Sequence, residues 1–231
     1  MREPRYENPI YAEALLEQRR LKSLMVPKPL PEDLRFVAGA DVSCGRFGST
    51  LWGAIVVCDL KEELRPAASS VARMEVSFPY LPGLLAFREI PVLKKAWEGL
   101  KLKPDVILCD AHGIAHPRGF GEAAHLGVVL GVSSVGCAKS LLCGSFEMPS
   151  MERGSWSNLV FEGRLVGAAL RTRSRVAPVF VSAGHFSDLP SAIALVMACS
   201  PRLRIPEPIR QAHALCNQAR RDGKDKGSGY G

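Results

Sequence analysis

The sequence predicts an α/β domain: one mixed sheet, three antiparallel strands followed by parallel ones, flanked by helices on both faces. Three observations predict it. Three strand-like segments follow one another with short polar connections, which favours antiparallel neighbours. The pattern then changes to strands alternating with helices, the rhythm of parallel βαβ units. Hydrophobic residues make up 47% of the 231 residues, enough to bury a sizeable core.

Residues 9–24 carry Ile10, Ala14, Leu15, Leu21 and Leu24 at helical spacing, and the prolines from Pro27 to Pro31 end that helix. Strands are predicted over 36–43, 51–60 and 71–78. A Gly/Ser/Arg loop at 44–50 joins the first two, and a charged loop at 61–68 joins the second to the third. The turn Pro79-Tyr80-Leu81-Pro82-Gly83 leads into a helix over 84–100, with Pro91 as a kink or as the first turn of a second helix. Residues 105–110 are nearly all apolar, as in a central strand. A Gly- and His-rich loop at 111–121, a helix over 122–130 and a strand over 134–138 follow. Residues 141–163 read as irregular, and 164–172 and 176–182 as two strands. A helix over 187–200 takes Ser187 or Asp188 as its cap, and the last helix, 206–221, has prolines in its first turn. Residues 1–221 are expected to form a single domain, with 222–231 a disordered polar tail. This is the layout of a ribonuclease H-like domain, and a layout alone does not fix a function.

Composition narrows the classes. No apolar stretch is long enough to span a membrane, and residues 1–20 lack the apolar run of a secretory signal, so a cytoplasmic protein is expected. The seven cysteines form no C-x-x-C pair, which argues against a zinc ribbon and against a disulfide framework. The formal charge of +7 suits a polyanionic partner, and Arg202, Arg204, Arg210, Arg220, Arg221, Lys224 and Lys226 crowd the C-terminal end.

The acids are the informative residues. Asp41 lies near the end of the first strand and Asp110 ends the fourth, and these strands are neighbours in a ribonuclease H-like sheet. Glu89, on the intervening helix, stands where it can close a third side, and His213 lies on the last helix. Such a cluster suits phosphodiester hydrolysis, where a divalent cation between carboxylates offsets the charge of the backbone and of the leaving oxygen. Taken singly, each residue reads as ordinary: a strand-end acid is a turn or cap residue, and Glu89 pairs with Arg88 or Lys94.

Local sequence changes that weighting. Gly39-Ala40-Asp41-Val42, the run from Phe78 to Glu89, the run from Asp110 to Arg118, Gly136-Cys137-Ala138-Lys139 with Leu142-Cys143-Gly144, and the run from Arg204 to His213 together resemble endonuclease V. That family nicks strands near deaminated adenine. The resemblance keeps the family's order and spans residues 9–216. It implies a single catalytic domain in which Asp41, Glu89 and Asp110 hold Mg2+, with Mn2+ able to substitute. It implies that His213 supports the metal site or the water and that Lys139 meets a phosphate near the cut. Pro79, Tyr80, Leu81 and Pro82 become a strand-separating wedge. The base pocket falls to Gly83, Leu85, Ala111, Gly113, His116 and Leu142.

The implied reaction is hydrolysis of the second phosphodiester bond 3′ to deoxyinosine in DNA, leaving a 3′-hydroxyl and a 5′-phosphate, by a monomer that initiates DNA repair. Hypoxanthine offers an acceptor at O6 and a donor at N1, so a pocket of backbone groups can accept it and reject adenine. Two departures stand out: Ala111 where relatives have glycine, and Phe186 where a basic residue is common. Other readings stay open. They are a ribonuclease for inosine-containing RNA, a structure-selective ribonuclease H-like nuclease, and a non-catalytic inosine binder. The pair His112 and His116 has zinc-ligand spacing, but Gly113 and Pro117 place it in a loop without further ligands.

Overall fold

The structure, a computed structural model, describes residues 9–45 and 49–225. Eight strands form one sheet in the order β3-β2-β1-β4-β5-β8-β7-β6. The first three, β1 (Phe36–Cys44), β2 (Thr50–Asp59) and β3 (Arg65–Glu75), make the expected antiparallel meander. β4 (Val106–Cys109) adds parallel to β1, and β5 (Ser133–Ala138) parallel to β4. The sheet then turns antiparallel again through β8 (Val179–Ala183), β7 (Arg164–Leu170) and β6 (Trp156–Phe161).

Each strand face has its own helices. Ala38, Ala40, Ile55, Ile107 and Cys109 point to one side, against α2 (Leu85–Glu98) and α3 (Glu122–Leu130). Val37, Val56, Val106, Leu108, Val135 and Val181 point to the other, against α4 (Leu189–Ala198) and α5 (Glu207–Asp225). This is the period-2 alternation of strands buried on both faces. The first helix, α1 (Pro9–Ser23), packs Tyr11 and Ala14 on Leu81 and Leu84, and Leu21 on Phe120.

Several expectations are refined. β3 begins at Arg65, not at residue 71, because a tight turn with Glu63 and Leu64 at positive φ replaces the expected loop. Its first half, Pro66 to Ser70, has little β-propensity and is held by pairing at the sheet edge, where proline is tolerated. β6 occupies part of the stretch read as irregular. It is the opposite edge strand, only Leu159 of it is buried, and it therefore lacks alternation. A two-residue turn with Glu162 and Gly163 both at positive φ joins it to β7, the geometry that right-twisted hairpins favour. Pro91 lies inside one helix and starts no second one. The α4 cap is Asp188, whose carboxylate accepts from the Ser191 N–H at 2.9 Å. α5 continues to Asp225, into the expected tail; residues 226–231 of that tail and 46–48 of the first loop lie outside the described residues.

The irregular segment after β5 is pinned by Arg171. This fully buried guanidinium donates to the carbonyls of Pro149, Ser150 and Val176. A buried arginine is tolerable when its donors are satisfied.

Candidate active site

β1, β4 and β5 run parallel, so their carboxyl ends open on one edge of the sheet. Ala40 pairs with Cys109, which puts Asp41 beside Asp110 one step further along. Lys139 follows the end of β5 and its ammonium is ion-paired with Asp110 Oδ2. Glu89 reaches the same place from α2. A cleft of about 470 Å³ is lined by Asp41, Glu89, Asp110, Lys139 and Glu122, together with Tyr80, Gly83, Leu85, Ala111, His116 and Leu142. A larger hollow of about 670 Å³ lies far along the sheet edge at Trp156 and Phe146, with a single acid, Glu147. Only the smaller cleft gathers the chemistry.

Close backbone approach makes this geometry possible. A Cβ on Gly39 would overlap the Pro208 carbonyl, so β1 sits directly on the start of α5. Asp41 lies two residues on, on the same face, and there its Oδ2 meets His213 Nδ1 at 2.6 Å. Cys216, one turn beyond His213, points its thiol at the same oxygen, Sγ to Oδ2 3.5 Å.

The electrostatics of the cleft are those of crowded acids. Burial raises the carboxyl of Glu89 to about 7, against the hydrogen bond with Glu122, while Asp41 and Asp110 push it further up. Burial, then its neighbour Glu89, pushes Glu122 well above the usual carboxylate range. Two carboxyl groups in hydrogen-bond contact must share a proton, since neither carboxylate is a donor. Glu122 is thus a fourth acid that the sequence reading did not assign to the site. Its signal was faint: it opens α3, where a first-turn acid is ordinary.

Asp41, Glu89 and Asp110 share the cleft, yet their oxygens do not close into one tight group. Among the described residues, the three potential ligands lying within 4.8 Å of one another are those of Asp41, His213 and Cys216. Asp110 is turned to Lys139, and Glu89 to Glu122.

The proline turn divides into parts. Tyr80 is 69% exposed at the cleft rim, whereas Leu81 is 7% exposed and packs on Tyr11, Ala14 and Leu84. Leu81 therefore anchors the turn to the core, while Tyr80 faces the cleft. Pro79, Pro82 and Gly113 do not line the cleft. Gly83 sits at φ 75°, and its carbonyl accepts from Arg118 and Gln18, which lash the turn to α1 and to the loop after β4. Gly113 belongs to that loop and seats it on β8: its N–H donates to Ser182 Oγ at 2.8 Å, and a Cβ there would strike the Ala183 carbonyl. His116 is 5% exposed, and burial lowers its imidazole to about 4, so it is neutral. His112 holds the Ser140 carbonyl at 3.1 Å; neither histidine joins a three-ligand group among the described residues. At Phe186, Lys28 lies over the ring at 4.2 Å and returns a positive charge to that surface.

Comparison with known proteins decides the family. The endonuclease V profile matches residues 19–214. The chain belongs to the endonuclease V family. Endonuclease V of Myxococcus xanthus is 47% identical over 92% of this chain and 91% of its own. The crystal structure of endonuclease V from Streptomyces avermitilis superposes with a TM-score of 0.89 at 43% identity, covering 92% of this chain and 94% of that one. Endonuclease V of Ciona intestinalis, in complex with a 23mer DNA containing an inosine followed by a ribo-adenosine, has a TM-score of 0.82 at 27% identity, covering 93% and 98%. As an endonuclease V the protein is a hydrolase of the nucleic-acid backbone, on the ribonuclease H-like fold of its relatives.

Proposed function

We propose that this endonuclease V recognises deoxyinosine in DNA and, with Mg2+, hydrolyses the second phosphodiester bond on its 3′ side. The observation that carries the reading is one cleft that combines the acids Asp41, Glu89 and Asp110 with an exposed aromatic, Tyr80, on an anchored turn. The complex of the Ciona relative with inosine-containing DNA supports the same ligand here.

The donor set fits a hard divalent cation. It consists of carboxylates in a part-buried cleft, where burial and mutual repulsion push Glu89 and Glu122 towards the protonated form, a situation a cation relieves. Asp41, Asp110 and Glu89 would hold it, and Mn2+ would serve by the same oxygens. The cation supplies charge neutralisation at the scissile phosphate and at the leaving oxygen.

The protein groups do the rest. Lys139, paired with Asp110, places its ammonium where a phosphate oxygen enters. His213 is held by Asp41 and by the Asn217 amide, 3.2 Å from Nε2, which fixes the ring against Asp41 so that it supports the metal site. Tyr80 fills the stack left by the displaced base, a displacement that is easiest for a mispaired nucleotide. The recess between Gly83, Leu85, Ala111 and Leu142, with neutral His116 as its polar wall, receives that base. His116 is fixed in that wall by the Arg118 N–H, which donates to its Nδ1, and by the Gly83 backbone, so the O6 and N1 edge of hypoxanthine is left to backbone groups of the pocket. One chain builds the whole cleft, which fits action as a monomer that opens a repair reaction.

The test is a substrate panel in Mg2+: a duplex with one deoxyinosine, the undamaged duplex, a deoxyuridine duplex and an inosine-containing RNA. The expected result is a nick in the first alone or far ahead of the rest. Cleavage of the RNA only would move the substrate to RNA, and equal cleavage of all four would remove the base pocket from the account.

A further inference from the structure

Cys216 is fully buried, lies outside the carboxylate cleft, and has no part in the hydrolysis described above. It nonetheless shares an atom with the site. Asp41 Oδ2 receives His213 Nδ1 at 2.6 Å and Cys216 Sγ at 3.5 Å, and the three ligand atoms lie within 4.8 Å of one another. We propose that Asp41, His213 and Cys216 form a second, thiophilic metal site, selective for Zn2+ or Co2+ over Mg2+, that competes with catalysis for Asp41.

The geometry is close to that of a bound ion. Tetrahedral zinc with Zn–S of about 2.3 Å and Zn–N or Zn–O of about 2.05 Å puts sulfur roughly 3.6 Å and nitrogen roughly 3.4 Å from the carboxylate oxygen. The Sγ–Oδ2 distance of 3.5 Å already meets the first value. The Nδ1–Oδ2 distance of 2.6 Å must open by under about 1 Å to meet the second. His213 is on the exposed side of the helix, so its ring has room to make that movement.

The chemistry of the set selects the ion. A thiolate, an imidazole and a carboxylate suit zinc and cobalt, whereas Mg2+ seeks six oxygens in an octahedron. Three protein ligands leave a fourth position for solvent on the cleft side. Binding releases the thiol proton to solvent and moves the imidazole proton to Nε2, leaving Nδ1 free to ligate, and the ring movement carries Nε2 away from the Asn217 amide nitrogen that faces it at 3.2 Å. His213 and Cys216 stand three residues apart on α5 and so share a face, which fixes the pair before any ion arrives. An ion seated there draws Asp41 Oδ2 out of the carboxylate cluster, and Mg2+-dependent cleavage falls.

Co2+ added to the metal-free protein tests this without any substrate. The wild type is expected to show tetrahedral d–d bands and a sulfur-to-cobalt charge-transfer band at one equivalent. Cys216→Ala is expected to abolish the charge-transfer band, and His213→Ala, at an exposed position, to weaken Co2+ binding by at least about tenfold, the low end even for groups that only orient ligands. Asp110→Ala is expected to retain the band, which separates this site from the hydrolytic reading. Absence of the band in the wild type, or its survival in Cys216→Ala, overturns the proposal.

Discussion

His125 should make this fold acid-labile, and the size of the effect follows from its surroundings. Its ring is 3% exposed, wedged between Phe87 at 4.9 Å and Phe120 at 5.4 Å, and its Nδ1 has no hydrogen-bond partner. Burial lowers its pKa from 6.5 to about 4. The folded state thus holds the ring neutral while the unfolded chain takes up a proton from about 6.5 downward. Stability from this group is full above the unfolded pKa and is lost as pH falls towards the folded one. A difference of about 2.5 pKa units corresponds to about 3 kcal/mol at roughly 1.4 kcal/mol per unit. His116 behaves alike, and burial also lowers His112 and His185, so the wild type carries further groups of this kind that the variant keeps. His125→Leu keeps the apolar contact and removes the titration. At neutral pH it should lie within about 1.5 kcal/mol of wild type, as volume-conserving swaps do. Urea unfolding across the interval from pH 6.5 to 4 should show the two proteins diverging, with the variant losing about 3 kcal/mol less. Parallel loss in both proteins would refute the reasoning. The consequence reaches the site, because Phe87 sits two residues before Glu89 and α3 carries both His125 and Glu122.

Three further outcomes follow from the cleft. Tyr80→Ala should lower affinity for a deoxyinosine duplex by about tenfold to a hundredfold, the worth of one stacked base of roughly 1–3 kcal/mol, with unchanged thermal stability; a filter-binding or anisotropy titration with Asp110→Ala as background reads it. Glu122→Leu should weaken Mg2+ binding by calorimetry at least about tenfold while Glu122→Gln, which still donates to Glu89, largely restores it; equal loss in both would assign Glu122 a charge and not a positioning role. Gly39→Ala should destabilise the fold by about 1–3 kcal/mol or more, because the new methyl meets the Pro208 backbone and pushes α5 from β1; a wild-type unfolding midpoint would contradict that packing.

Much of the fold was legible in the sequence because apolar period and turn chemistry agreed. The helix over 122–130 appears where periodicity places it, and the central strand predicted over 105–110 is one residue shorter at each end, so that Asp110 lies just beyond it. What escaped was set by tertiary context. β6 and the first half of β3 are edge strands whose polar, half-exposed residues carry no alternation, so only pairing reveals them. In the site, strand adjacency brings Asp41 and Asp110 together and the intervening helix adds Glu89, and one cleft is lined by all three. Leu81 was grouped with Tyr80 because they are neighbours in a proline turn, yet burial separates them. Glu122 was masked by the ordinary reading of a first-turn acid, and its contact with Glu89 depends on how α2 and α3 pack. Cys216 stood one helical turn from His213, a spacing readable in advance, but its approach to Asp41 needed the close seating of α5 on Gly39.

The most direct test of the central claim is end-labelled mapping of a duplex carrying one deoxyinosine, with Mg2+ and with chelator, using wild type, Asp41→Ala and Asp110→Ala. The account predicts a single Mg2+-dependent nick at the second phosphodiester bond 3′ to the deoxyinosine, with a 3′-hydroxyl and a 5′-phosphate, absent in both variants. A nick that persists in chelator or in Asp110→Ala, or tight binding of the duplex with no nick at all, would contradict it: the carboxylates of Asp41 and Asp110 would then not be the hydrolytic site.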